Sequence, residues 1–185
     1  MADVIENRNF LLHDKFNFQI ARLPSVNFFV QDVVLPGVSI PDADTPSPLT
    51  KINNAGDHLI FEPLIVQFKI DEDMRNWYEI FNWMQGIGFP ENFNQYADLK
   101  EFGIKDIEGE EVTKKKRPKT KREDIYSDAT LIIKTSHNND NLAFNFVDCY
   151  PSRLDSTNFS TQAGDSKHLT STVTFSYNYF TVYKV

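Results

Sequence analysis

Apolar and polar residues alternate with period two in several separate segments. This is the signature of half-buried strands. Phe16, Phe18 and Ile20 alternate with Asn17 and Gln19. Leu64, Val66, Phe68 and Ile70 share one face of a strand opened by Leu59, with Gln67 and Lys69 on the other. Ala129–Thr135 and Leu142–Cys149 flank a polar turn, Asn138-Asn139-Asp140-Asn141, and predict a hairpin. Tyr150-Pro151 is expected to break the return strand. At the C-terminal end the odd positions Leu169, Val173, Phe175, Tyr177 and Tyr179 are apolar. The even positions Thr170, Thr172, Thr174, Ser176 and Asn178 are polar and uncharged. This predicts one long final strand with a buried face and a solvated one.

The remaining segments read differently. Val26–Leu35 predicts a strand that pairs with Phe16–Ile20 across the turn signal Pro24-Ser25. Residues 36–58 contain Pro36, Pro41, Pro46 and Pro48, with Pro63 just beyond. Each proline removes a ladder donor, so a long extended loop is expected. Glu72–Gln85 predicts the main helix, with Asp71 as its N-cap and Gly86 as its stop. Met74, Trp77, Tyr78, Phe81 and Met84 form a stripe at helical spacing, expected to be its core face. Asn92–Phe102 suggests a second, short helix. The sum is a mainly β chain with one main helix, arranged as an antiparallel β-barrel or sandwich. Residues 1–185 read as a single domain, in which 1–14 form an N-terminal arm and 103–125 an exposed charged loop.

The composition narrows the class. With 16 Phe, 7 Tyr and 2 Trp in 185 residues, the chain is rich enough in aromatics to fill a core. Cys149 is the one cysteine, which excludes an intramolecular disulfide. No run of about 18 apolar residues exists, so no membrane partner is expected, and the N-terminus lacks the layout of a signal peptide.

The net charge of −7 is unevenly distributed. Lys114, Lys115, Lys116, Arg117, Lys119, Lys121 and Arg122 are seven of the nineteen basic residues. The rest of the chain is therefore more acidic by seven charges, near −14. Such a body repels phosphate and is suited to let DNA slide past without holding it. The basic run contains no aromatic residue to stack on bases. It reads either as a loop that docks on an acidic partner surface or as a solvated loop balanced by the neighbouring acidic cluster.

Catalytic motifs are missing. There is no G-x-S-x-G, H-E-x-x-H, P-loop or G-x-G-x-x-G pattern. His13, His58, His137 and His168 lie far apart and in no metal-ligand spacing. Asp71-Glu72-Asp73 suits the positive end of a helix dipole better than a cation site. No cofactor, metal or catalytic site is expected. An enzyme assembled from scattered residues is the remaining, weaker alternative.

Three features in order carry a resemblance. They are Leu35-Pro36-Gly37-Val38, then Lys51-Ile52-Asn53-Asn54-Ala55-Gly56-Asp57, then Phe81-Asn82-Trp83 near the end of the helix. The closing segment Phe144–Tyr179, with Tyr150-Pro151 at a turn, follows the same order. Together they resemble the tail tube proteins of contractile-tailed bacteriophages, over about residues 16–86 and 129–182. The middle, 87–128, matches poorly and is enlarged by the charged stretch.

The resemblance implies a virion protein assembled in the host cytoplasm and forming a hexameric ring. The rings stack into the inner tube or stand as initiator or adaptor rings at baseplate or neck. It implies that Leu35, Pro36, Gly37, Lys51, Asn53, Gly56 and Asp57 lie at contacts between subunits. The implied partners are further copies of the chain, sheath, baseplate or neck proteins and the tape measure protein, with DNA passing through the lumen. The alternative within the same architecture is a tube protein of a contractile secretion system that carries effectors.

Overall fold

In a computed structural model, the structure describes residues 10–45, 50, 52–101, 103–105, 108, 125–161 and 168–185. Seven strands build the main sheet: β1 (Phe16–Ile20), β2 (Val30–Val34), β7 (Leu64–Lys69), β8 (Ser127–Lys134), β9 (Asp140–Leu154), β10 (Thr170–Ser176) and β11 (Tyr179–Lys184). All pairings are antiparallel. The order is β1-β8-β9-β10-β7-β2, and β11 lies along β9 as well. The long strand β9 joins two halves. Its first part pairs with β8 and β11, and its last part with β10. The result is a mainly β, sandwich-type fold.

The alternation seen in the sequence sets the core. Phe18 and Ile20 of β1, Leu64, Val66 and Phe68 of β7, Leu131 of β8, Phe146 of β9, and Val173 and Phe175 of β10 are buried together. Fully burying side chains of this kind contributes roughly 1.5–3 kcal/mol each. Two helices cap this core. The main helix α2 runs Arg75–Gly88, and α3 runs Asn94–Glu101.

Several expectations are corrected. β1 and β2 do not form a hairpin, because β1 pairs with β8 and β2 with β7. Between them Pro24–Phe29 forms a short helix, α1, with proline in its first turn. The Asn27 side chain bonds both the N–H and the C=O of Ile20. It therefore takes the place of a strand partner at that point.

The proline-bearing stretch is not a loop. It is a second β structure, with β3 (Val38–Ser39) against β6 (Ile60–Phe61) and β4 (Asp42–Thr45) against β5 (Ile52–Ala55). The two ladders follow one another as a long hairpin arm. Pro36 and Pro41 fall outside its paired segments, so no ladder donor is lost there.

Main helix α2 begins three residues later than expected. Met74, left-handed at φ 55°, is the N-cap. Asp71 still caps from a distance, since its Oδ1 accepts the Asn76 N–H at 3.2 Å. Gly86 does not stop the helix. It lies buried inside α2, which ends at Gly88 with Phe89 left-handed beyond it.

The core face of α2 is also not the expected one. Asn76, Glu79, Ile80, Trp83 and Gly86 point inward. The stripe Met74–Trp77–Tyr78–Phe81–Met84 is partly exposed, and Phe81 is 40% accessible.

Strand β9 runs straight through Tyr150-Pro151. Pro151 is tolerated because this end of β9 has only β10 beside it. The bend falls at Asp148 instead, at φ 58°. Its N–H donates to Asp128 Oδ1 and its Oδ2 accepts from Asn178 Nδ2.

The final strand is two strands, β10 and β11, separated at Tyr177-Asn178. The parity holds through Phe175 and then inverts. Tyr179 is exposed, while Phe180 packs against the core cluster. Finally, the stretch expected as an exposed charged loop from residue 103 begins buried. Gly103 and Ile104 lie in the interior, and Trp83 Nε1 donates to the Ile125 carbonyl at 2.8 Å.

Candidate assembly surfaces

Among the described residues no group of three or more His, Cys, Asp or Glu side chains could hold a metal. His13, His58, His137 and His168 are exposed and remain dispersed. Cys149 is buried, and burial, with Asp128 and Asp148 adding repulsion, pushes its thiol up to about 12. A thiol this hard to ionise is a poor nucleophile. No helix among the described residues is long and apolar enough to cross a membrane. The chemistry of the molecule lies in its surfaces.

The hairpin arm collects most of the residues singled out in the sequence. At its base Leu35 is exposed, Pro36 is buried, and the Gly37 carbonyl accepts the Glu62 N–H at 3.0 Å. Gly37 N–H points back at Glu62 Oε2 at 3.3 Å. Midway, Gly56 N–H donates to the Pro41 carbonyl at 2.9 Å. A Cβ at position 56 would lie 2.4 Å from that oxygen, so the crossing between the two ladders requires glycine. Nearer the tip, Asn53 pairs with Asp44.

Asp57 is exposed. Its carboxyl is held below the ordinary range by the hydrogen bond with His58 Nδ1 at 2.8 Å. Lys51 and the basic run Lys114, Lys115, Lys116, Arg117, Lys119, Lys121 and Arg122 lie outside the described residues.

The arm places Leu35–Gly37 at its root and Asn53–Asp57 along its shaft, on one projecting element. Val38, Ile40, Leu59 and Ile60 on it are about half exposed. None of its residues belongs to the core cluster. An arm without buried side chains of its own gains stability from what it touches outside.

Three strands have a single partner each among the described pairings: β1 on β8, β2 on β7 and β11 on β9. Their outer edges carry unpaired backbone donors and acceptors, the groups a sheet uses to continue into a second chain.

The outward faces of the sheet are mostly uncharged. On one half Gln19, Thr130, Asn145 and Thr181 are in register across four strands, and Thr130 Oγ1 bonds Asn145 Oδ1 at 3.3 Å. On the other, Thr172 stands opposite Gln67, and Thr174 opposite Ile65 and Arg153. These rows are polar without strong charge.

The sequence gave no warning of a groove beside α2, lined by Met74, Trp77, Phe81, Met84, Leu154 and Phe159. Trp77 and Phe81 stack there at 5.4 Å and 11°. The signal was present, as the apolar stripe on α2, but it was assigned to the core.

Residues 6–183 match the family model described as "Phage tail tube protein". The chain is 28% identical over 158 residues to the tail tube terminator protein of Enterobacteria phage T4, covering 83% of this chain and 76% of that protein. Among solved structures, the anti-feeding prophage cap, an "AFP tube terminating cap", superposes with a TM-score of 0.60 at 8% identity, over 100% of this chain and 97% of that one. The sheath-tube complex of an extracellular contractile injection system in its extended state gives 0.57 at 10% identity, over 96% and 94%. At such identities the two superpositions show a shared fold.

Proposed function

From the premise that this chain belongs to the phage tail tube protein family, we propose that it is a structural ring subunit at the terminating end of a contractile tail's tube. Six copies form the ring, and the ring stacks on the tube below it. The single observation that carries the choice of a terminating ring is the likeness to the T4 terminator across most of both chains.

The geometry supports a ring by a separate route. The edges of β1, β2 and β11 have one partner each. Closure of six copies into a continuous sheet supplies the missing partners and removes the edges. The hairpin arm, with Leu35, Pro36 and Gly37 at its root and Asn53, Gly56 and Asp57 on its shaft, reaches to the neighbouring subunit or ring. Lys51 belongs to the same segment of sequence.

The uncharged row Thr172, Thr174 and Gln67 suits the lumen, where DNA and the tape measure protein pass without binding. An acidic body reinforces this by repelling phosphate. The basic run 114–122 is the element we assign to an acidic surface on a sheath or neck partner. The role is structural, with no catalytic step.

Mass measurement and negative-stain imaging of purified material test this reading. Six-membered rings that bind tube ends support it. A strictly monomeric protein at high concentration, missing from particles, overturns it. Rings that cover tube walls rather than ends would move the subunit to the bulk tube.

A further inference from the structure

The groove beside α2 is built to be filled. It has a volume of about 650 Å³, and its walls are apolar. Two polar atoms on opposite walls, Trp77 Nε1 and Thr157 Oγ1, are buried without a hydrogen-bond partner. An apolar core strip would leave such a donor expensive and idle. A segment that offers apolar side chains together with free backbone carbonyls would satisfy both.

The chain carries such a segment at its other end. Phe10, Leu11 and Leu12 are 93%, 65% and 44% exposed. Phe10 and Leu11 make no backbone hydrogen bond among the described residues; the one bond in this stretch is Lys15 N–H to the Leu12 carbonyl. The exposed apolar residues of the hairpin arm are a weaker fit, because Val38, Ser39, Ile60 and Phe61 already pair with each other.

The donor and the groove cannot meet within one copy. Phe10 and Leu11 lie beside Leu142, near the start of β9, while the groove contains Leu154 at its end. The twelve intervening steps span roughly 40 Å at about 3.3 Å per residue, less the bend. The four residues from Phe10 to Asp14 reach about 14 Å.

We propose that Phe10-Leu11-Leu12 of one copy seats in the α2 groove of a neighbouring copy, with Trp77 Nε1 donating to a backbone carbonyl of that segment. Complementary surfaces at opposite ends of one subunit make a head-to-tail contact, which closes into a ring or propagates along a stack. This deepens the assembly reading above and rests on it.

The test uses two blocked variants. Phe10→Asp with Leu11→Asp spoils the segment, and Phe81→Asp with Met84→Asp spoils the groove. All four positions are at least partly exposed, and circular dichroism checks the fold. By sedimentation, each variant alone should need at least tenfold higher concentration to associate than the unaltered chain. Mixed together they should form one-to-one dimers, since each supplies the half the other lacks. Trp77→Phe keeps the stack and loses the donor, and should weaken association roughly fivefold.

Copies bearing Leu11→Cys should cross-link to copies bearing Phe159→Cys, and the buried Cys149 does not compete. If a blocked variant associates as the unaltered chain does, or if cross-links form only within one chain, the contact is wrong while the ring reading stands. If the unaltered chain never associates, both fall. If the unaltered chain associates only with another protein, and the groove variant alone abolishes that, the occupant is foreign and the proposal is overturned.

Discussion

Leu99 of α3 rests directly on Gly86 of α2: a Cβ at position 86 would lie 2.7 Å from Leu99 Cβ. The contact fixes how closely the two helices pack, and Leu99 is buried there at 2% accessibility. Gly86→Ala gains helix propensity of up to about 1 kcal/mol but must push α3 away, at an overpacking cost of about 1–3 kcal/mol. A net destabilisation of roughly 1–2 kcal/mol is expected in denaturant unfolding. Gly88, two residues on, has no heavy atom within 4 Å of its built Cβ. Gly88→Ala should instead stabilise by roughly 0.5–1 kcal/mol. Equal effects at the two sites would refute the close crossing.

Gly56→Ala should separate assembly from folding. The added Cβ meets the Pro41 carbonyl at 2.4 Å and disrupts the crossing between the two ladders of the arm. The arm contributes nothing to the core cluster, so the melting temperature should move by less than about 4 °C. Ring or particle formation, followed by imaging, should be lost. A large drop in melting temperature would mean that the arm is part of the folding unit.

The parity of β10 predicts two unequal substitutions. Phe175 is fully buried with its ring centroid 6.3 Å from that of Trp83. Phe175→Ala should cost roughly 3–5 kcal/mol. Thr174 faces outward, and Thr174→Ala should cost well under about 1.5 kcal/mol. Thr174→Lys should fold. If the Thr174 face lines the channel, assembled particles carrying it should retain or stall DNA, because the new charge binds phosphate. Free passage of DNA through such particles would place the lumen elsewhere.

Alkaline pH should destabilise the fold. Burial pushes Cys149 from about 9 to about 12, and Tyr177, whose hydroxyl donates to the Glu62 carbonyl at 2.7 Å, from about 10 to about 12. Both groups hold their protons in the folded state after the unfolded chain has lost them. Stability is thus full below about pH 9 and falls between about pH 9 and 12. Melting curves across this range check the sign, and Cys149→Ala should flatten the fall. At pH 8 the folded thiol should carry about a thousandfold less thiolate than a free one, so labelling should track unfolding.

Local pattern was a reliable guide wherever one face of a segment is apolar and the other polar. Phe16–Ile20, Leu64–Phe68 and Val173–Phe175 are buried in the parity their residues dictate, because a one-residue slip would expose every large side chain at once. The polar turn Asn138–Asn141 likewise marks the β8–β9 hairpin. The family resemblance was legible because it lay in the order of such elements.

Tertiary structure decided the rest. Helix α2 is apolar on two sides, and periodicity cannot rank them. The choice fell to the side where Asn76 Nδ2 reaches the Lys69 carbonyl, Ser25 reaches Glu79, and Trp83 reaches Ile125. All of these are long-range bonds that a helical wheel does not contain. Pro151 failed to break β9 because a strand end with one neighbour does not need the missing donor. The prolines of residues 36–58 likewise concealed a hairpin, since those described stand between its ladders. Which apolar surface is core and which is left for a partner depends on backbone and side-chain partners distant in sequence, and those exist only once the chain has folded.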